Sequence, residues 1–208
     1  MKLLILHGFT QNGAVLRRHL APLLGQLPAQ LTCAFPDAPH ACSEAGLARL
    51  QSMLGGLQTA PHLSWWNATD DGRLYRGWET SLSLLRASVA EGESFGVLGF
   101  SQGAIVAAAL SALAVRGEFA MPQFVALVAG RTPRADALKP LFDSVLSVPS
   151  LHVWGERDVM AREEAPKLVD KFDPATREVV CWDGPHVLPT FGPGADAILS
   201  FVRKYTCV

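Results

Sequence analysis

Short apolar segments of strand type alternate with longer segments of helix type along nearly the whole chain. The strand-type segments are Lys2 to Leu6, Leu31 to Phe35, Phe95 to Leu98, Phe124 to Val128, Leu151 to Trp154 and Glu178 to Trp182. The helix-type segments are Ala14 to Leu27, Tyr75 to Ala90, Gln102 to Val115, Ala135 to Leu146, Ala161 to Lys171 and Gly194 to Lys204. This alternation predicts right-handed crossovers between parallel strands. We therefore expect an α/β fold with a compact, doubly wound, mostly parallel sheet of about six strands flanked by helices.

The composition favours strands that are buried on both faces. Apolar residues make up 49% of the 208 residues and charged residues 18%, which is richer in core-forming residues than an average globular chain. Strands that are covered by helices on both sides have such sequences, so we expect six buried strands. The length, and a sequence without repeat or flexible linker, predict a single domain over residues 1–208.

One segment, residues 36–78, interrupts the alternation. It contains one plausible helix, Glu44 to Leu57, followed by Pro-His-Leu-Ser-Trp-Trp-Asn at positions 61–67. An excursion of this length inside a compact domain usually covers or lines a site. We expect the segment to form a short cap over the strand ends.

The pentapeptide Gly-Phe-Ser-Gln-Gly at positions 99–103 joins a predicted strand to a predicted alanine-rich helix. This context is typical of a nucleophile elbow, a tight strand-to-helix turn that exposes a serine hydroxyl above the sheet. The elbow backbone is strained and crowded, which explains the glycines at either end. Ser101 is therefore the candidate nucleophile.

A serine hydroxyl is a weak nucleophile and needs a base within hydrogen-bond reach, itself oriented by a carboxylate. In chains with a nucleophile elbow, the order is serine, acid and then histidine, each on a loop after a strand. His186 alone among the six histidines follows the last predicted strand. We expect His186 to be the general base.

The acid is expected on the loop after the penultimate strand, and Asp158 holds that position. Glu156 lies on the same loop, directly after a glycine. Asp136, after the preceding strand, is a second alternative, and Asp183 is a third, although three residues are a short reach to His186.

Acyl transfer also needs two N–H donors for the developing oxyanion. One is expected from the backbone of Gln102, the residue after the candidate nucleophile. The loop after the first strand, residues 7–13, is expected to supply the other, and Phe9 is our choice. We interpret His7 as a structural residue that holds this loop.

Aromatic and apolar residues near the same strand ends could bind an acyl or alkyl chain. Trp65, Trp66 and Leu188 are the candidate substrate-binding residues. For the two tryptophans, packing of the long excursion is an equally good explanation.

Charge and hydropathy argue against several other functions. The net charge is −1, with lysine and arginine scattered singly, so neither a nucleic acid nor an anionic membrane surface is expected as a partner. The chain has no apolar run of 18 residues and no signal-peptide core, which predicts no membrane insertion and a cytoplasmic location.

The remaining histidines and cysteines do not suggest a metal site. His19, His40 and His62 have no spacing that would hold a metal, and the loop after the first strand lacks a dinucleotide-binding glycine pattern. The cysteines have no C-x-x-C spacing and are expected to pack as small apolar residues: Cys33, Cys42, Cys181 and Cys207.

The motifs together resemble the FSH family of serine hydrolases, within the α/β-hydrolase superfamily. The segments that carry the resemblance are residues 6–13, the tryptophan pair, residues 99–104, residues 152–158 and residues 184–186. The resemblance implies a Ser-Asp-His triad at Ser101, Asp158 and His186 that acts on carboxylic esters or thioesters without a cofactor. The chain departs from the family where Leu63-Ser64 replaces a basic residue that often precedes the tryptophan pair.

The sequence thus predicts a serine hydrolase that cleaves small-molecule esters or thioesters of an apolar acyl or alkyl chain through an acyl-enzyme. An acyl-protein thioesterase or carboxylesterase shares the elbow and is the nearest alternative. Two others are a non-catalytic binding module of the same fold and a different reaction that uses the same triad.

Overall fold

The computed structural model describes residues 1–54 and 61–206. The strands in this part of the chain are β1 (Lys2–Leu6), β2 (Thr32–Ala34), β3 (His40–Ala41), β4 (Leu63–Ser64), β5 (Asn67–Ala68), β6 (Tyr75–Arg76), β7 (Phe95–Phe100), β8 (Val125–Val128), β9 (Ser150–Gly155) and β10 (Arg177–Trp182). The helices are α1 (Gly13–His19), α2 (Ala21–Leu24), α3 (Glu44–Leu54), α4 (Trp78–Ala87), α5 (Gln102–Val115), α6 (Ala165–Val169) and α7 (Gly192–Thr206), with a 3₁₀ turn at Lys139–Phe142.

Six of these strands form one parallel sheet in the order β10-β9-β8-β7-β1-β2. The predicted sheet of about six strands is therefore confirmed, with each predicted strand in place. Because β1 lies between β7 and β2, the chain reverses its direction of winding there, and a crevice opens at the carboxyl ends of β1 and β7. The register pairs Leu6 with Gly99, so the loops that follow these two strands lie side by side.

The prediction that all six strands are buried is wrong for the two outermost ones. In β2 and β10 every residue is at least partly exposed, since an edge strand has a neighbour on one side only. Cys181 on β10 is therefore exposed instead of packed. Cys33 is partly buried, Cys42 is buried, and Cys207 lies outside the described residues.

Helices cover both faces of the sheet and divide the core into two layers. The alanine-rich helix α5 packs on β7, β8 and β1, and every residue from Gln102 to Ala114 is buried. A helix that is apolar all around is typical of such a central position. The opposite layer combines β-strand side chains with residues of α1, α2 and α7.

Four predicted helices are wrong in extent, and a proline explains three of the differences. A proline lacks the N–H that an interior helical residue donates. Pro22 lies at the start of α2 and separates it from α1. Pro140 reduces the predicted helix Ala135 to Leu146 to one 3₁₀ turn. Pro166 lies in the first turn of α6, which therefore begins at Ala165 and not at Ala161. The fourth, the predicted helix Tyr75 to Ala90, extends only from Trp78 to Ala87, because Tyr75–Arg76 pairs with β5 and Gly77 has a φ of 90°.

The long excursion contains α3 and two small antiparallel pairs, β3 with β4 and β5 with β6. The predicted helix Glu44 to Leu57 begins at Glu44 as expected, and its residues 55–57 lie outside the described residues. Trp65, Trp66 and Trp78 are buried in the same core layer as α5. This packing attaches the excursion to the face of the sheet near the carboxyl end of β7.

None of the helices in the described part of the chain has the length and apolar character that a membrane crossing requires.

Candidate active site

Ser101 lies at the turn between β7 and α5, where its backbone adopts a φ of 53°. Non-glycine residues rarely have this conformation. The Ser101 N–H donates to the carbonyl of Val128 on the neighbouring strand (2.8 Å). A Cβ at Gly99 would overlap the Gly103 carbonyl, and one at Gly103 would overlap the Leu6 carbonyl. The two glycines therefore allow the helix to start directly against the strands.

Backbone strain is concentrated around this turn. In the described residues, three non-glycine positions have positive φ: Thr10 (68°), Ser101 (53°) and Ala129 (53°). They follow β1, β7 and β8, which are neighbours in the sheet. Such strain costs about 1–3 kcal/mol per residue and is common at functional sites.

A series of hydrogen bonds connects Ser101 with His186 and Asp158. The Ser101 Oγ lies 3.0 Å from His186 Nε2, and His186 Nδ1 lies 2.8 Å from Asp158 Oδ2. A carboxylate only accepts hydrogen bonds, so Nδ1–H donates to it and Nε2 can accept the serine proton. The Asp158 side chain is fully buried, and that of His186 is 11% exposed.

Asp158 is held in position by the backbone that follows it. Its Oδ1 accepts hydrogen bonds from the N–H groups of Met160 and Ala161, both at 2.9 Å. These two bonds occupy Oδ1 and leave Oδ2 directed at the histidine.

The loops that carry the acid and the histidine are hydrogen bonded to each other. The N–H of Glu156 donates to Trp182 O (2.8 Å), and the N–H of Arg157 donates to Gly184 O (3.0 Å). A Cβ at Gly155 would overlap the Gly184 carbonyl. The approach that brings the acid to the base therefore depends on a glycine at the end of β9.

The other carboxylates that the sequence offered do not reach the histidine. Asp136 and Asp183 form exposed ion pairs with basic side chains. Glu156 is exposed, with no ion pair in the described part of the chain. Among the described carboxylates, Asp158 alone contacts His186.

Phe9 and Gln102, the residues expected to supply the two oxyanion N–H groups, line the same cleft as Ser101. In the described part of the chain neither N–H group donates to a protein acceptor, whereas neighbouring N–H groups do. Gln102 is the first residue of α5, where an N–H has no partner within the helix. The two predicted oxyanion residues thus lie on the wall of the same cleft as Ser101.

The side chain of Gln102 has a structural task that the sequence analysis missed. Its Oε1 accepts from the Trp65 N–H (2.9 Å), and its Nε2 donates to the Trp66 carbonyl (3.0 Å). A buried amide side chain in the first turn of α5 thus connects this helix to the excursion. The only sign of this role in the sequence is the position of Gln102 directly after the candidate nucleophile Ser101.

His7 supports the same connection. Its Nδ1–H donates to Gly8 O (2.8 Å), and its Nε2 accepts from the Ala38 N–H (3.0 Å). The Trp65 Nε1 donates to the His7 carbonyl (2.9 Å). Burial lowers the pKa of His7, so the neutral ring is favoured. These contacts agree with the structural role expected for this histidine.

The predicted substrate-binding residues separate into two groups. Trp66 lines the cleft and stacks on Tyr75, with ring centroids 4.2 Å apart. Trp65 is fully buried behind the cleft, so its assignment to the cleft wall is corrected to packing. Leu188 does not line this cleft: it is buried in the opposite core layer, its carbonyl accepts a hydrogen bond from His19 (2.7 Å), and it lines a separate cavity that His186 also lines.

The cleft above Ser101 has a volume of about 420 Å³. Its apolar wall comes from the loop after β1, the excursion with α3, the helix α5 and the loop after β9. The residues are Phe9, Leu50, Trp66, Ile105, Val159 and Met160. Three arginines also line it, Arg49, Arg131 and Arg134. The sequence analysis missed these arginines, since Arg49 is far from Arg131 and Arg134 in the chain.

Comparisons with known proteins place the chain among hydrolases. Residues 1–198 match the family described as Serine hydrolase (FSH1). Esterase OVCA2 of Bos taurus is 31% identical over 222 residues, which cover 99% of this chain and 96% of that protein. Esterase AGAP003155 of Anopheles gambiae is 32% identical over 216 residues, covering 98% of this chain and 77% of that protein.

A solved structure, acyl-protein thioesterase 2 of Zea mays, superimposes with a TM-score of 0.70 at 19% identity. The superposition covers 98% of this chain and 93% of that structure. Together with the sheet order, this likeness shows an α/β-hydrolase fold.

Proposed function

Because the chain belongs to the serine hydrolase (FSH1) family, we propose that it hydrolyses carboxylic esters or thioesters through an acyl-enzyme on Ser101. His186 is the general base, and Asp158 orients it. The observation that carries the proposal is the hydrogen-bond series from Ser101 through His186 to Asp158 at the floor of the cleft. This geometry suits nucleophilic acyl transfer.

In the first half of the reaction, Ser101 Oγ attacks the substrate carbonyl while His186 Nε2 takes the hydroxyl proton. The tetrahedral intermediate carries a negative oxygen, which the N–H groups of Phe9 and Gln102 stabilise. When the intermediate collapses, the carbon–oxygen or carbon–sulfur bond breaks. His186 then gives its proton to the departing alcohol or thiol.

In the second half, water replaces the alcohol or thiol. His186 takes a proton from the water, whose oxygen attacks the acyl carbonyl, and the same two N–H groups stabilise the second oxyanion. The proton returns to Ser101 Oγ as the carboxylic acid leaves. Asp158 stays ionised throughout, since its buried carboxylate stabilises the imidazolium that forms in each half.

The apolar wall of the cleft accepts the acyl or alkyl chain. Trp66 presents a rigid ring whose position is set by Tyr75 and by the amide of Gln102. We assign residues 36–78 the role of a cap that is part of a single domain over residues 1–208. The cap, α5 and the loops that follow the strands then line the site together.

A fluorophosphonate probe tests the proposal. The wild-type protein should gain one phosphonyl group at Ser101, located by peptide mass spectrometry. Ser101→Ala should remain unlabelled, and kcat on a p-nitrophenyl ester should fall by about 10⁶-fold. Ser83→Ala, which replaces an exposed serine on α4, is the matched control and should label as the wild type does. Folded wild-type protein that does not label would favour the non-catalytic binding module.

A further inference from the structure

In the described residues, the three arginines of the cleft form no ion pair with a carboxylate. Outside the cleft, five arginines form ion pairs with Asp or Glu: Arg73, Arg116, Arg157, Arg162 and Arg177. The remaining arginines outside the cleft have no ion pair with a described residue but are exposed to solvent, whereas Arg131 in the cleft is partly buried. In the described residues, no side-chain hydrogen bond or ion pair occupies the guanidinium of Arg49, Arg131 or Arg134. All three line the cleft that contains Ser101.

Arg131 is the most constrained of the three. It follows β8 by way of Ala129, whose φ of 53° marks a strained turn, and its side chain is partly buried. Burial is the largest effect and lowers the pKa of Arg131. Arg134 and Arg49 also lower this pKa, whereas Tyr75 and Glu164 raise it. Burial therefore disfavours the charge of Arg131 unless an anion joins it, and the exposed Arg134 and Arg49 line the same cleft.

The nearby carboxylates do not neutralise this cluster. Glu164 acts on Arg131 at a distance, but its carboxylate is paired with Lys167 at 2.6 Å. Asp70 lines the cleft but is exposed. The described residues that line the cleft therefore include three arginines and only one carboxylate, that of Asp70. Arg131 is the one of these three cations that is partly buried.

We infer that Arg131, with Arg134 and Arg49, binds an anionic group on the acyl or alkyl chain of the substrate. The preferred substrate is then an ester or thioester whose apolar chain carries a carboxylate or a phosphate. A guanidinium can donate two parallel hydrogen bonds to either anion. The inference rests on the proposed function for cleavage of the ester bond, and the arginine cluster is the evidence for the anionic group.

Matched ester substrates test the inference. In one series, p-nitrophenyl esters of six- to ten-carbon acids end in a carboxylate, a phosphate or a neutral carboxamide. In a second series, the alcohol part of octanoate esters carries the same three end groups. We expect kcat/KM for an anionic ester to exceed that for the carboxamide of equal length by at least tenfold in one series. A comparison of kcat/KM between the phosphate and carboxylate esters shows which of the two anions the cleft prefers.

Substitutions then assign the preference to the cleft. Arg131→Gln should lower the ratio of kcat/KM between the anionic and the neutral ester by at least tenfold, and Arg131→Lys should lower it less. Arg116→Gln, which removes an exposed arginine at the end of α5, is the matched control and should leave the ratio unchanged. Fluorophosphonate labelling of each variant at Ser101 shows that its active site is folded.

The outcomes separate the inference from the proposed function. If neutral esters are hydrolysed but neither series favours an anion, the inference is wrong and the proposed function stands. A preference that survives unchanged in a folded Arg131→Gln protein would also overturn it. If no ester is hydrolysed and no probe is bound, the proposed function itself fails.

Discussion

At the scale of single residues, the carboxylate of Asp158 sets the protonation pattern of the proposed triad. An amide at this position can donate to His186 Nδ1, which favours the ring tautomer that cannot accept the serine proton. We expect Asp158→Asn to lower kcat on a p-nitrophenyl ester by about 10⁴-fold. Asp183→Asn replaces a carboxylate that is 79% exposed and should change kcat by less than about twofold. Similar losses in both variants would contradict the assignment of Asp158.

A second residue, His152, makes stability depend on pH. The pKa of His152 is lowered from 6.5 to about 3, mainly by burial and to a smaller extent by the positive charge of nearby Arg177. The folded protein therefore keeps His152 neutral where the unfolded chain binds a proton. The free energy of unfolding should fall by up to about 1.4 kcal/mol for each pH unit between 6.5 and 3.

Urea unfolding at pH 7.0 and pH 5.5 measures this contribution. His152→Gln lacks the titrating group, so its free energy of unfolding should change less between the two pH values, even if the variant is less stable at both. Equal changes in the two proteins would show that His152 contributes nothing to the pH dependence.

At the scale of elements, the junction of β7 with α5 requires a residue without a side chain at Gly103. A Cβ at Gly103 would overlap the carbonyl of Leu6, so α5 would have to move away from β1. We expect Gly103→Ala to lower the free energy of unfolding by about 3 kcal/mol and to slow fluorophosphonate labelling. Gly25→Ala is the control, because no heavy atom lies within 4 Å of its Cβ position and its φ of −67° suits alanine.

In that control protein we expect stability equal to the wild type or up to about 1 kcal/mol higher, since alanine reduces the freedom of the unfolded chain. The measurement is urea unfolding followed by circular dichroism. A Gly103→Ala protein as stable as Gly25→Ala would mean that α5 tolerates the shift and that close packing at the elbow is not required.

At the scale of the whole molecule, tryptophans of the proposed cap segment and residues of the sheet lie in one core layer. Trp65, Trp66 and Trp78 are buried there with residues of α5. We therefore expect the segment to unfold together with the sheet. In a protein with Trp154→Phe and Trp182→Phe, fluorescence reports the three cap tryptophans only. Its urea transition should coincide with that of circular dichroism, and an earlier fluorescence transition would indicate a separate unit.

The sequence predicted the sheet well because its signals are local. Strand-type runs of four or five residues indicated each of the six strands, and the glycines around Ser101 indicated the turn between β7 and α5. Helix ends were less predictable, as Pro140 and Pro166 show, because apolar periodicity continued through prolines that interrupt the backbone hydrogen bonds. The order of Ser101, Asp158 and His186 along the chain indicated that all three would lie at the same edge of the sheet.

The sequence by itself thus determined the α/β alternation, the strained turn at Ser101 and the loops on which the acid and histidine lie. Only the tertiary structure decided that Trp66 faces the cleft while Trp65 faces the core, and that Leu188 lies in the opposite layer. It also brought Arg49, Arg131 and Arg134 into one cleft. Periodicity and turn geometry are properties of neighbouring residues, whereas a shared cavity depends on how distant segments pack around the central strands.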